Sequence, residues 1–337
     1  MEELSDCESR HHHEVAVSIL VPVRNEASHV RSLLSAICSQ DYAHIIEILM
    51  LDGMSTDGTR EIIREYQQAD SRVLLIDNLA GIVTSGMNIG FSLARGDVII
   101  RMDAHADYAI DYVSQCVEIL HQTGAGNVGG PAIPASDGSL IGETIKALHE
   151  SPFGIGAAKF RQPGAEGWVD TLWPGAYRRE ALEAAGMYYV QELTRSEDIE
   201  LNSRVRAAGW GIYLSPLIKA RYYPRKSLVG LCRQNFGNGM AIADTIRSGR
   251  EGVSLRHLIP FVFLMSLVLS TVLSVTVPGG KWLLLALGFS YLGADLLFAT
   301  RAAMKNGLRL FPLLIIAFPM LHLSYGLGSL WGFVRKR

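Results

Sequence analysis

A chain of 337 residues has room for one large domain or two ordinary ones. Its net charge of −2 gives no electrostatic case for nucleic-acid binding. Hydrophobic residues make up 49% and charged residues 19%, but unevenly: the chain reads as globular up to about residue 250, and long charge-free apolar runs follow. Cys7, Cys38, Cys116 and Cys232 stand far apart without a CxxC pair, which argues against a zinc site or disulfide framework and suits a reducing compartment. Residues 1–14 are acidic, carry His11, His12 and His13, and lack the apolar core of a signal peptide; they read as a flexible, solvated leader.

Residues 15–21 are a short β-branched run closed by Pro22, predicting a first strand. Over 26–39, Val30, Leu33, Leu34 and Ile37 recur at the spacing of one buried helical face. A continuous apolar run at 45–51 suits a strand covered on both sides. It stops at Asp52-Gly53; a helix over 57–68 follows, with Asp57 or Thr59 near its N-cap. Residues 73–76 and 98–102 predict further strands, with a helix over 82–95 between them. This alternation is the signature of a parallel sheet in an α/β domain, whose ligands sit beyond the carboxyl ends of the strands.

Those ends carry Pro22-Val23-Arg24-Asn25-Glu26, Asp52, Asp77-Asn78 and Asp103-Ala104-His105. No GxGxxG follows the first strand, which argues against a nicotinamide or flavin site of Rossmann type. Carboxylates crowded at one edge repel one another unless they coordinate a cation or bond to a ribose or base. Singly, Asp52-Gly53 also reads as a turn and Asp103 as the cap of a following helix.

Further on, residues 224–250 mix Leu228, Val229, Leu231, Phe236, Met240 and Ile242 with Arg225, Lys226, Arg233 and Arg247, as interfacial helices would. Three apolar segments of spanning length follow: 258–277, 282–300 interrupted by Asp295, and 310–334 interrupted by Pro312, Pro319 and His322. The turn at 278–281 makes the first two a hairpin and leaves Arg301, Lys305 and Arg309 on the cytoplasmic side. A third complete crossing would put Arg335-Lys336-Arg337 outside, so either the last segment is re-entrant or the positive-inside tendency yields. Asp295 and His322 would contact a lipid phosphate, each other or a protein interior.

In combination these motifs resemble the family 2 glycosyltransferases of GT-A fold. The resemblance is carried by Val21-Pro22-Val23-Arg24-Asn25-Glu26, Leu51-Asp52-Gly53-Met54-Ser55-Thr56-Asp57-Gly58-Thr59 and Arg101-Met102-Asp103-Ala104-His105-Ala106. It continues in order through Gly175-Ala176-Tyr177-Arg178-Arg179, Ser196-Glu197-Asp198-Ile199-Glu200 and Arg204-Val205-Arg206-Ala207-Ala208-Gly209-Trp210. The Asp-Ala-His variant, Tyr223-Pro224-Arg225-Lys226-Ser227-Leu228 and Arg233-Gln234-Asn235-Phe236-Gly237-Asn238-Gly239 are similar to the ExoA-type branch, associated with succinoglycan and other exopolysaccharide assembly.

The resemblance implies a nucleotide-diphospho-sugar transferase fold, a Rossmann-like mixed α/β sheet, over 15–223. Interfacial helices over 224–256 and a transmembrane region over 257–337 would follow. Pro22, Arg24 and Glu26 would border the nucleoside and Asp52 would bond the base, most often uracil. Asp103 and His105 stand where the DxD motif stands and would hold Mg2+ or Mn2+ against the diphosphate; the imidazole tilts that choice toward manganese. Asp198 would be the catalytic base, with Glu197 orienting the acceptor or Asp198 itself. Glu197 and Asp198 also read as complements to a helix N-terminus.

Trp173 and Gly175 would border the acceptor, the glycine admitting close backbone approach and the indole forming a wall. Arg178 and Arg179 read equally as part of that site or as solvated charges. Gln234 occupies the region of the QxxRW motif of processive members, but the Arg-Trp is missing, so single-sugar transfer is the better reading. The implied enzyme is an inverting hexosyltransferase of the inner membrane, multi-pass, with its catalytic domain cytoplasmic. It would move a sugar, glucose from UDP-glucose being the family's commonest answer, to a lipid-linked saccharide. Transfer to polyprenyl phosphate or a glycerolipid, and a silent nucleotide-sugar-binding subunit of an export complex, are the alternatives.

Overall fold

The computed structural model describes residues 15–155, 158–191, 193, 195, 197–249 and 253–335; the leader 1–14, Ser196, Lys336 and Arg337 lie outside the described residues. The chain divides into two compact units: Met1–Ile133 with Lys159–Tyr222, and Pro134–Ala158 with Tyr223–Arg337.

The first unit alternates strand and helix: β1 (Val17–Val23), α1 (Val30–Cys38), β2 (Ile45–Asp52), α2 (Thr59–Ala69), β3 (Val73–Asp77), α3 (Val83–Leu93) and β4 (Val98–Arg101). It continues through β5 (Ala106–Tyr108), α4 (Tyr112–Thr123), β6 (Asn127–Gly129) and the two-residue β7 (Ile133–Pro134) at the unit boundary. After β8 (Gly167–Trp168) come β9 (Ala176–Arg178), α6 (Arg179–Ala184), α7 (Glu197–Ala207), β10 (Ile212–Leu214) and β11 (Ala220–Tyr222); α5 (Leu140–Glu150) belongs to the second unit. The main sheet runs β3-β2-β1-β4-β9-β6-β10-β8. Its β3-β2-β1-β4 half is parallel, as the sequence predicts, whereas β9 is antiparallel to both β4 and β6 and makes the sheet mixed.

Two-residue periodicity sorts the central strand between two cores. Val17, Ile19, Val21 and Val23 pack with Val30, Leu33, Leu34 and Ile37 of α1 and with α4. Leu20 points the other way, toward Met87 and Phe91 of α3, Tyr177 of β9 and Leu201 and Val205 of α7. Gly90 lets α3 lie close on that face, since a Cβ there would sit 2.7 Å from Leu20 Cδ2. Register aligns Val23, Asp52 and Asp77 in one row at the carboxyl edge, while β4 ends at Arg101 opposite Leu20, three residues short of that row.

In the second unit, α8 (Leu228–Arg247), α9 (Ile259–Thr276), α10 (Gly280–Asn306) and α11 (Phe311–Val334) follow one another. The last three, with the short turns preceding α9 and α11, are long and apolar enough to cross a membrane. Ile145, Ala147 and Leu148 of α5 bury themselves among Leu231, Ala299, Ala303, Leu314 and Phe318. Gly239 and Gly328 allow α8 and α11 to touch backbone to backbone: a Cβ on either would collide with a carbonyl of the other helix. His322 and Asp295 face the protein interior. The imidazole Nε2 lies 2.6 Å from the Phe153 carbonyl and so donates to it, leaving Nδ1 to accept from Tyr291 Oη at 2.8 Å. Asp295 is buried, its Oδ1 without a hydrogen-bond partner. Cys38, Cys116 and Cys232 are free thiols.

Glu47, 2% exposed on β2, ties β2 to β1 and to the turn before β4. It accepts from Ser18 Oγ at 2.6 Å, from the Arg95 amide at 2.6 Å and from Arg95 Nε at 2.9 Å. Burial pushes its pKa up, but these bonds outweigh it and hold the carboxyl below its ordinary value. The group thus binds fewer protons folded than unfolded, so its contribution is complete above the ordinary carboxylate range and lost as pH falls through the lowered value. Glu47→Gln is expected to cost about 1–3 kcal/mol at neutral pH, seen as a lowered melting temperature. That deficit should shrink in acid; an unchanged melting temperature at pH ~7 would contradict the assignment.

Candidate active site

The loops after β1 and β2 are laced together by side chains where they need backbone partners. Asn25, at φ 54°, donates its amide to Ser55 Oγ at 2.8 Å and accepts from the Thr56 amide through Oδ1 at 2.9 Å. Glu26 donates its amide to Thr59 Oγ1, and Ala27 to Asp57 Oδ2. Asp57 also accepts from the Thr59 amide at 3.1 Å, so it braces the start of α2 although Gly58 holds the N-cap position. Arg24 reaches across to the Gly81 carbonyl at 2.9 Å, and Glu26 lies 3.1 Å from His29. Pro22 is the penultimate residue of β1, half-buried.

Asp52 is fully buried. Its carboxylate accepts from Ser55 Oγ, from the Ser55 amide at 3.1 Å and from Arg60, which also pairs with Asp77 at 2.7 Å. Three acceptor sites out of about four are therefore filled, and Asp52 organises the loop and Arg60.

The other cluster is built around Arg101, to which sequence reasoning gave no role. This residue ends a buried strand at 7% exposure, its amide held by the Gly175 carbonyl at 3.1 Å. Its guanidinium donates to Asp103 Oδ1 at 3.0 Å and to Glu197 Oε1 at 3.2 Å, and lies 5.9 Å from the centre of the Tyr189 ring. Burial works against its charge, but Asp103, Tyr189 and Glu197 hold its pKa well above the ordinary arginine value. The cation thus joins the two acidic motifs that the sequence separates by 94 residues (197 − 103).

Asp103 is 2% exposed, with its amide 2.6 Å from Tyr108 Oη and its Oδ2 buried without a hydrogen-bond partner. His105 is exposed and stacks on Trp173, ring centres 6.0 Å apart and planes at 22°, while Trp173 meets Tyr222 edge-on. The structure therefore brings Asp103, His105, Trp173, Gly175 and Glu197 to one end of the sheet. Gly175 leaves no space for a side chain: its Cβ would lie 2.6 Å from Asn127 Oδ1. Among the described residues no three His, Cys, Asp or Glu side chains converge as a self-sufficient metal site. The orphaned Asp103 Oδ2 and the nearby imidazole still fit a divalent cation that completes its shell with oxygens of a bound diphosphate.

Glu197 and Asp198 open α7, whose positive dipole end favours them. The helix is fixed from behind by Asn202, fully buried, which bonds Asn127, Tyr177, Thr171 and the Leu172 carbonyl. The preceding segment is pinned by Asn88 of α3, which exchanges two hydrogen bonds with the backbone of Tyr189, and by Arg204, which reaches the Ala185 and Tyr188 carbonyls. Burial and the charge of Glu197 push the Asp198 pKa up to about 7, with Arg101 pulling the other way. Arg178 and Arg179 prove to be braces: the first holds the Leu120 and Ala125 carbonyls, the second those of Ala94 and Gly96. Gln234 lies on α8 of the second unit, half-buried, and is not part of this cluster.

A mixed sheet with acidic residues at the carboxyl end of its fourth strand and an acidic pair opening a later helix defines a glycosyltransferase of GT-A fold. Residues 18–186 match glycosyl transferase family 2, and the chain belongs to that family. It is 30% identical over 317 residues, 92% of either chain, to the succinoglycan biosynthesis protein ExoA of Rhizobium meliloti (strain 1021). It is 27% identical, over 92% of this chain and 95% of the other, to a dolichyl N-acetyl-alpha-D-glucosaminyl phosphate 3-beta-D-2,3-diacetamido-2,3-dideoxy-beta-D-glucuronosyltransferase of Methanococcus voltae. Its fold is similar to that of the mannosyltransferase PcManGT from Pyrobaculum calidifontis in complex with GDP-Man and Mn2+, with a TM-score of 0.57 and 18% identity over 97% of this chain and 94% of that one.

Two outcomes follow from the Arg101 cluster. Arg101→Met leaves buried Asp103 and half-buried Glu197 without their cation and is expected to cost about 3–5 kcal/mol, read as a lowered melting temperature in detergent; an unshifted transition would contradict the bridge. If Asp198 is a catalytic base it must be deprotonated to act, and kcat/KM should fall about tenfold per pH unit below pH about 7. A limb at the ordinary aspartate value, near pH ~4, would contradict Asp198 in that role.

Proposed function

We propose that this protein transfers one sugar, with inversion, from a nucleotide diphosphate donor to a lipid-linked saccharide during polysaccharide assembly at the cytoplasmic face of a membrane. The observation that carries the reading is the Arg101 bridge, which holds Asp103, with a free buried oxygen, and Glu197, next to Asp198, in one polar cluster. Asp103 and His105 would hold Mg2+ or Mn2+, and a bound divalent cation supplies positive charge against which a diphosphate leaves. Asp198 would take the proton of the acceptor hydroxyl as that oxygen bonds to the anomeric carbon and the bond to the diphosphate breaks. Such help is worth about 10²–10⁴-fold in rate. Glu197 would keep Arg101 engaged, and Trp173 with Gly175 would border the sugars.

Pro22, Arg24 and Glu26 would line the nucleoside end, with Asp52 holding Arg60 and Ser55 in register there. The acceptor class rests on the likeness to ExoA and to the Methanococcus voltae enzyme, whose name specifies a dolichyl-linked sugar phosphate acceptor. The membrane rests on the three apolar helices, and the donor class on the mannosyltransferase bound to GDP-Man and Mn2+. Glucose from UDP-glucose is the first donor to try.

A donor panel assayed on purified protein with lipid extract, under manganese, magnesium or chelator, tests the reading. Nucleotide diphosphate release from one donor is expected, lost with chelator and reduced at least ~100-fold by Asp103→Ala. Donor binding without turnover under every condition would instead mark a silent binding subunit.

A further inference from the structure

Helices α9 and α10 form a hairpin: they turn at Gly279, at φ 84°, and Phe263 stacks on Tyr291 with ring centres 4.5 Å apart. The end opposite the turn carries Arg256 before α9 and Arg301, Lys305 and Arg309 after the apolar part of α10. Helix α11 begins at that charged end, where Phe318 and Phe298 both pack on Phe153. At 24 residues it is about 36 Å long, enough to run back along the hairpin to its turn.

It goes elsewhere. A Cβ on Gly326 would lie 2.6 Å from the Pro260 carbonyl and 3.0 Å from Leu264 Cβ, and the Phe333 ring is 5.1 Å from that of Phe261. Pro260, Phe261 and Leu264 are the first two turns of α9. Both ends of α11 therefore lie at the charged end of the hairpin.

Helix α8 runs beside α11 in the same direction. Cys232 meets the Met320 carbonyl, Gly239 meets Tyr325 and Ser329, Met240 and Ala243 meet Gly332, and Asp244 pairs with Arg335. Arg247 then closes the end of α11 on the Gly332 and Arg335 carbonyls at 2.8 and 2.9 Å. A crossing by α11 would carry Arg233, next to Cys232 at the middle of α11, into the bilayer with it, at about 2.5–3.5 kcal/mol for a charge near the centre. The outward surfaces differ as well: α11 exposes the apolar Ile316, Leu327, Trp331 and Val334 and no charge before Arg335, whereas α8 exposes Arg233 and Arg247 together with Val229 and Ile246. Of its most apolar stretch 33% is buried in the protein, against 11% in each of the other two.

From these contacts we infer that α8 and α11 form a plate lying in the interface of one membrane leaflet, the apolar face of α11 in the acyl region and the charged face of α8 toward water. The chain crosses the bilayer twice, not three times, and Arg335 stays on the side of Arg256, Arg301, Lys305 and Arg309. The positive-inside tendency is thereby met, with Lys281 at the turn on the opposite side.

Single cysteines in the full-length protein test this in intact cells, with a membrane-impermeant maleimide and mass spectrometry of the labelled peptides. Lys281→Cys at the turn reports one side, Met304→Cys the other, and Val334→Cys the end of α11. Val334→Cys is expected to label only when Met304→Cys does, after lysis; labelling together with Lys281→Cys would overturn the proposal. If lipid shields Val334→Cys even in lysed cells, fusions to the end of the full chain read the same question. Green fluorescence with inactive alkaline phosphatase supports two crossings, and active phosphatase overturns them.

Discussion

A guanidinium with almost no access to water stands between two carboxylates at the carboxyl end of the sheet. Arg101 cannot lose its proton, and a buried cation is tolerated only when its charge is met by partners with good geometry. Asp103 and Glu197 meet it, one from the loop after β4 and one from the first turn of α7. The surrounding structure can be seen as what this arrangement demands. Asn202 and Arg204 fix α7, Asn88 fixes the segment before it, and the Gly175 carbonyl fixes the Arg101 backbone. Removing any one carboxylate would change the field felt by the others, so the acidic residues of this site act as a unit.

The same field explains how one edge of the sheet can hold acids of different character. Asp52 is saturated by Ser55 and Arg60 and serves as scaffold. Asp103 keeps one oxygen unbonded, and Asp198, half-buried beside Glu197, is more basic than an ordinary aspartate. Environments that push like groups apart are what divide labour among carboxylates in an active site.

Much of the first half of the fold was legible in the sequence, because parallel strands covered on both faces must be continuous apolar runs. The run 45–51 and the helical spacing of Val30, Leu33, Leu34 and Ile37 both returned as expected. The second half of the sheet was not legible: β6, β8, β9 and β10 have three residues or fewer, too short for any period to show. Helix α5 carries no mark of its grouping with the C-terminal unit, since Ile145 and Leu148 would suit any core. Arginines misled most. At the end of an apolar run Arg101 shows no role, and Arg178-Arg179 read equally as part of the site or as solvated charges, because the carbonyls and carboxylates they satisfy come from distant parts of the chain. The apolar count over 310–334 likewise gave length and composition but no direction, which only the contacts with Pro260 and Phe261 supply.

The division of labour between Asp103 and Asp198 is best tested by titration calorimetry and turnover on a single preparation of Asp198→Asn. If Asp198 is the base and takes no part in holding the donor, nucleotide-sugar affinity should stay within about threefold of wild type while turnover falls by ~100-fold or more. Turnover that survives the substitution, or disappears together with donor binding, would contradict that account of the site.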